Sequence, residues 1–237
     1  MALDTTYRTD LEESMDDFSL DNDELTTALD DIAKINRFLG GNAITLNGVK
    51  YLLKNVPKNS EITIMDFGCG SGDMLRMLSK YGAANNLKLK LIGIDANEAT
   101  IRHAENCSVD YKNIIYLAED IFKYDFSKYK IDIALITLTL HHFNDEDILK
   151  ILRTINNLVT TGIVVNDLQR SKLAYRLFQA IIFIFRLDKM TADDGLISIL
   201  RGFKKAELQK HASALNFKKH RIAWKWAFRY QWIIEKT

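Results

Sequence analysis

The run Ile64-Met65-Asp66-Phe67-Gly68-Cys69-Gly70-Ser71-Gly72-Asp73 constrains this chain more than any other segment. An apolar strand leads directly into three glycines at alternate positions, and a helix-forming stretch follows. A side chain at 68 or 70 would keep such a turn from lying close beneath a bound nucleoside, whereas glycine lets backbone amides reach the ligand. Further short runs rich in Ile and Leu recur at Leu89 to Asp95, Asn113 to Ala118, Ile131 to Leu138 and Gly162 to Asp167, after a first run at Glu61 to Phe67. Helical patterns are expected between them, near 73–84, 97–107 and 145–159. Strands without polar alternation, joined by amphipathic crossovers, predict a parallel sheet covered on both faces, the α/β class.

The segments flanking this core are also readable. Leu25, Leu29, Ile32 and Leu39 fall on one helical stripe between Asp21 and Gly41, with Asp21 or Asn22 as cap and Gly40-Gly41 as stop. A second helix is expected from about Asn42 to Asn55, ahead of Pro57, the only proline. Arg170 to Leu187 reads as a strongly apolar helix containing Ala180 to Phe185; core packing and a wall of the acceptor pocket are both open readings. Asp188 to Arg201 is expected to be a loop. A helix near 203–214 and two strands, Lys218 to Trp226 and Phe228 to Glu235, close the chain.

At 237 residues and 47% apolar content, one domain with a substantial core is expected. Residues 1–56 would form a helical cover belonging to the same domain, 57–237 the ligand-binding part, and 170–202 a lid over the substrate. No stretch approaches the roughly 18 uninterrupted apolar residues of a spanning helix. The first thirty residues are acidic, unlike a secretory leader, so a cytoplasmic protein is expected. Cys69 and Cys107 are too few for a disulfide framework and lack zinc spacing, so no metal is expected. The net charge is +1, with acids crowded before Asp31 and bases after Arg201. The two ends could attract each other or each be a solvated face. The small total charge argues against a dedicated nucleic-acid binder.

Acids stand at the tips of three successive strands: Asp66, Asp95 and the Glu119-Asp120 pair. Asp95 is placed to hold a ribose diol. Asp120 could accept from an adenine amino group while Ile121 packs on the ring. A dinucleotide site would show a Gly-x-Gly-x-x-Gly turn facing phosphate. Here the third glycine follows too soon, and Asp73 at the helix start would repel phosphate.

Asp66 to Gly72, Gly93-Ile94-Asp95, Glu119-Asp120 and Leu140-His141-His142-Phe143 together resemble the ordered motifs of class I S-adenosylmethionine-dependent methyltransferases, over roughly 60–235. The resemblance implies a Rossmann-like sheet of seven mostly parallel strands in the order 3-2-1-4-5-7-6, with strand 7 antiparallel. It also implies S-adenosylmethionine as cofactor. Carried onto matching positions, it implies Asp66 toward the methionine amine and Gly68 and Gly70 beneath the cofactor, with Gly72 a further cofactor-binding residue. Asp95 and Ala96 would lie at the ribose, Glu119, Asp120 and Ile121 at the adenine, and Thr137 beside the reactive end.

Arg37 is either a partner of the methionine carboxylate or a plain surface arginine. His141 and His142 stand where an acceptor would meet the methyl group, and Asp167 could orient or charge-stabilise one imidazole, so a His-Asp pair is expected to deprotonate an acceptor hydroxyl; the other reading is that the histidines pack beneath the cofactor or cap a turn.

Met15 to Phe18, Asn36 to Gly41, Asn166 to Leu168, Asp194-Gly195 and Leu200 to Phe203 further resemble a bacterial subgroup often associated with phenolic-lipid and polyketide pathways. That implies a small hydrophobic acceptor, O-methylated on a phenolic or polyketide-like hydroxyl, lodged beside the helix at 170–187 and Trp224 to Trp226. Those tryptophans are equally readable as ordinary sheet residues. C-methylation of a quinol-like ring, methylation of protein or RNA, and non-catalytic cofactor binding are the alternatives.

Overall fold

A computed structural model describes residues 3–54, 56–57 and 60–236. Seven strands form one sheet in the order β3-β2-β1-β4-β5-β7-β6. They are β1 (Glu61–Phe67), β2 (Lys88–Asp95), β3 (Ile114–Ala118), β4 (Ile131–Thr137), β5 (Val159–Leu168), β6 (His220–Lys225) and β7 (Arg229–Glu235). β1 to β5 run parallel, and β7 is antiparallel to both β5 and β6. The expected architecture and strand order are those observed. The central strands are apolar throughout because both faces are covered: Ile64, Met65, Ile133, Ala134 and Leu135 have no exposure to solvent.

Among the described residues eight α-helices surround the sheet: α1 (Asp23–Phe38), α2 (Gly41–Leu53), α3 (Asp73–Ala84), α4 (Glu98–Asn106), α5 (Asp145–Leu158), α6 (Lys172–Phe185), α7 (Lys189–Arg201) and α8 (Lys205–Ala214). Their starts follow local chemistry. Asn22, Asn97, Asn144, Ser171 and Asp188 each accept a hydrogen bond from a first-turn backbone N–H. Asn55, the expected end of the second helix, lies outside the described residues.

α2 packs directly on the sheet, so close that a Cβ on Gly48 would stand 2.6 Å from Val164. α1 instead spans the ends of the strands, touching both α4 and α7.

Three expectations need correction. Asp188 to Arg201 is a helix, α7, and not a loop; Asp188 caps it through Thr191, and its Asp-Asp-Gly interior disguised the pattern. β5 begins at Val159, so α5 and β5 adjoin without a turn. The apolar run in α6 is not core, since Ala174 is the helix's one buried residue among those described and Phe183 is 86% exposed. No helix among the described residues is long and apolar enough to cross a membrane.

Candidate active site

A cavity of about 800 Å³ opens at the carboxyl ends of β1 to β4, where open α/β sheets bind ligands. Its floor holds Asp66, Gly68, Gly70, Asp95, Ala96, Glu119, Asp120, Ile121 and Thr137, each expected from sequence. The glycine turn shows why no other residue type serves. Gly68, Gly70 and Gly72 all have positive φ (74°, 50° and 75°), a region costly for L side chains. They differ in what a side chain would meet. A Cβ on Gly70 would meet only Leu29, at 3.9 Å, and would project into the cavity, whereas one on Gly72 would strike the Tyr116 hydroxyl at 2.0 Å. Gly72, expected among the cofactor-binding residues, does not line the cavity and instead packs the turn against Tyr116.

The acids differ in their environment. Both Asp95 oxygens accept backbone N–H groups, from Gly70 at 3.1 Å and Asn97 at 3.1 Å. Burial nonetheless raises its carboxyl above the ordinary range. Asp120 is held low: against the upward push of partial burial, the Lys123 ammonium and the Phe122 N–H stabilise its charge. Asp66 is different, with an Oδ1 that is buried and has no partner. Burial, reinforced by Asp73 and Asp95, pushes its carboxyl up to about 8.

The His-Asp pair forms at His141. Its Nδ1 lies 2.7 Å from Asp167 Oδ1, and Asp167 Oδ2 accepts the His141 backbone N–H at 3.2 Å. Burial pushes the Asp167 carboxyl up, but His141 and the Leu168 N–H outweigh it and hold it below its usual value. The Nε2 of His141 is buried without a partner, 3.6 Å from Glu13 Oε1, which also lacks one. His142 does not share Asp167. Its Nδ1 lies 2.6 Å from Asp16 Oδ1, so Asp167 meets one imidazole and the second histidine has its own carboxylate.

Several contributors carried no role in the sequence reading. Glu13 and Asp16 bracket a single 3-10 turn, Ser14–Asp16, whose N–H groups at Ser14 and Met15 are held by Asp194 of α7 at 2.8 and 3.1 Å. Arg201 joins the Asp16 carboxylate to the His142 carbonyl. The segments Met15 to Phe18, Asp194-Gly195 and Leu200 to Phe203, conspicuous as motifs, therefore meet around the histidines. Glu13 and Asp16 of the acidic start both lie within ion-pair distance of Arg201. Arg37 is exposed and lines no part of the cavity, so its possible role at a carboxylate is corrected. Two buried arginines line the cavity, Arg201 at the end of α7 and Arg229 at the start of β7.

The upper wall is apolar: Leu177, Phe178, Ile181 and Ile184 of α6, with Trp226 and Phe228. Trp224 is not part of the lining, but its indole N–H donates at 2.8 Å to Gln169, which is. Glu13, His141 and His142 each offer a possible metal-ligand atom within 4.8 Å of one another, as do Asp30, His103 and Cys107 at the surface. The Nδ1 atoms of both histidines are already committed to carboxylates, leaving Nε2 of each to face a proton, a substrate hydroxyl or a cation.

Residues 64–162 match a family described as methyltransferase domain. Among curated proteins, none matches the sequence significantly. The fold is similar to several solved structures. The plantazolicin methyltransferase BpumL in complex with SAH superposes with a TM-score of 0.66 at 17% identity, covering 90% of this chain and 96% of that one. The CurJ carbon methyltransferase gives 0.61 at 14%, covering 82% and 54%. Magnesium protoporphyrin IX methyltransferase (ChlM) from Synechocystis PCC 6803 with bound SAH gives 0.57 at 14%, covering 85% and 84%.

Proposed function

We propose that this chain, which carries a class I S-adenosylmethionine-dependent methyltransferase domain, methylates a hydroxyl of a small hydrophobic acceptor, with His141 as general base. The observation that carries this reading is the Asp167-His141 pair: His141 lines the same cavity as the glycine turn, and its Nε2 makes no hydrogen bond.

The residues present fit the cofactor. Gly70 leaves its Cβ position open toward the cavity, Asp66 presents an unpartnered carboxyl, and Asp95 stands at the tip of β2, where a ribose would be held. Glu119, Asp120 and Ile121 would take the adenine. Bound S-adenosylmethionine supplies an electrophilic methyl group on a sulfonium, so the protein need only align the acceptor and remove its proton.

Asp167 fixes the His141 tautomer with the proton on Nδ1, which leaves Nε2 to take the acceptor's hydroxyl proton. Glu13, beside that nitrogen, favours the imidazolium that results. Its own carboxyl is raised by burial, an upward effect that His142, Ser198 and Arg201 only partly offset. The apolar face of α6 with Trp226 and Phe228 selects a hydrophobic acceptor, and α6 and α7 act as its lid.

The test is a panel of phenols and polyketide-like hydroxyl compounds with a methyl-labelled donor. Label on oxygen with turnover dependent on His141 is the expected result. Label on ring carbon would replace this with C-methylation. Donor binding without turnover across the panel would leave a cofactor-binding protein, and label in protein or RNA would exclude a small acceptor.

A further inference from the structure

Arg229 is 3% exposed and lines the cavity, yet of its three side-chain nitrogens only Nη2 has a partner, the Asn36 Oδ1 at 2.7 Å. Nε and Nη1 have none, and the guanidinium forms no ion pair among the described residues. Its charged neighbours Asp167 and Asp73 act only from a distance, and although burial depresses its pKa to about 10, it stays a cation at neutral pH. A buried guanidinium without a counter-ion is among the least favourable groups a fold can hold, unless an anion joins it.

Where it lies narrows the choice of anion. The first residue of α2, Gly41, packs against the guanidinium so closely that a Cβ there would stand 3.0 Å from Cζ. The next residue, Asn42, bonds Asp73 at 2.5 Å. Asp73 is a charged neighbour of Asp66 as well as of Arg229. One end of the cavity therefore holds a carboxyl with an unpartnered oxygen and a guanidinium with two unpartnered nitrogens, beside the electropositive N-terminus of a 13-residue helix. Such a pair complements an α-amino-acid zwitterion.

We propose that Arg229 receives the carboxylate of the methyl donor's amino-acid end, while Asp66 faces its ammonium. This rests on the function proposed above and deepens it: the antiparallel strand supplies a donor-binding residue that the ordered motifs do not contain.

Calorimetry with S-adenosylmethionine and with its decarboxylated form, which keeps sulfonium and amine but lacks the carboxylate, tests the assignment. Wild type should prefer the carboxylated ligand by about ten- to a hundredfold, the range of a charge-assisted hydrogen bond. Arg229→Met should abolish the preference by weakening S-adenosylmethionine alone, and Arg229→Lys should keep part of it, with folding of both checked by thermal melting. Equal weakening of both ligands, or an unchanged preference, overturns the proposal. Should preference persist while Arg229→Met stops benzoate from binding the S-adenosylhomocysteine complex, the carboxylate belongs to the acceptor and the donor assignment is wrong. If neither adenosyl ligand binds wild type, the methyltransferase reading itself fails, a result distinct from the others.

Discussion

The imidazole of His142 is tied to Asp16, 126 residues earlier in the chain, by a 2.6 Å contact from Nδ1 to Oδ1. Asp16 in turn binds Arg201 at the end of α7, and the His142 and Arg201 pairings hold its carboxyl far below the usual range despite the opposing effect of burial. The amino-terminal segment is thereby strapped across the cavity mouth. Asp16→Asn would remove the nearest anion from Arg201 and His142, leaving them only Glu13, at 3.6 and 3.9 Å. A loss of about 1–3 kcal/mol of stability is expected, the cost of breaking a partly buried charge-assisted pair. Denaturant melts would measure it, and limited proteolysis should show earlier cleavage before Asn22.

The two histidines should separate kinetically. Replacing His141 by Asn removes the free Nε2 base, so kcat is expected to fall by about 10²- to 10⁴-fold, with S-adenosylhomocysteine affinity within about twofold of wild type. Asp167→Asn should lose a comparable share by releasing the tautomer. His142→Asn should mainly weaken the strap. Equal losses for His141→Asn and His142→Asn would contradict this division.

Asp66 makes a pH prediction whose sign is fixed by its environment. Its folded value of about 8 stands above the unfolded 3.8, so the native state keeps a proton that the unfolded chain has lost across that interval. Native stability should therefore fall as pH rises from about 4 to about 8, and level beyond it. Asp66→Asn should flatten the profile and raise the melting temperature at pH 8. The shift caps the gain at about 6 kcal/mol, and relaxation leaves less. The same variant should bind S-adenosylmethionine more weakly, and donor affinity of the wild type should rise toward pH 8 as the carboxylate forms.

Gly70→Ala and Gly72→Ala should fail in different ways. Both impose a left-handed backbone on a side chain, at roughly 1–2 kcal/mol. Gly70→Ala adds only a methyl group in the cavity, so lost donor affinity should exceed lost stability. Gly72→Ala strikes Tyr116, so its larger effect should be on the melting temperature.

The Glu13, His141 and His142 cluster yields one more measurement. With His141 acting as a base, prolonged chelation followed by desalting should leave turnover unchanged. Loss on chelation with recovery on adding one divalent metal would turn these groups into ligands and remove the general-base assignment.

Much of the sheet was legible because each strand carries its own signal. β1 and α3 begin and end where apolar runs, glycines and the first-turn acid place them. The floor of the cavity was legible for the same reason, since Asp66, Gly68, Gly70, Asp95 and Asp120 sit in short segments whose order follows strand order. α7 was missed because a glycine and adjacent acids in its interior look like a turn, while its stability comes from packing on α6, α1 and the Ser14–Asp16 turn. Arg229 was missed because a lone arginine before a strand carries no local sign of burial.

By itself the sequence determined the strand tips and the glycine bend, since a covered parallel strand and a positive-φ turn are each specified by a few contiguous residues. Tertiary structure alone decided which charges meet: that Asp167 takes His141, that Asp16 takes His142, and that Arg229 is enclosed with no counter-ion. Those pairings join residues far apart in the chain. Burial decides whether each charge is satisfied, and burial belongs to the packed molecule rather than to any segment of it.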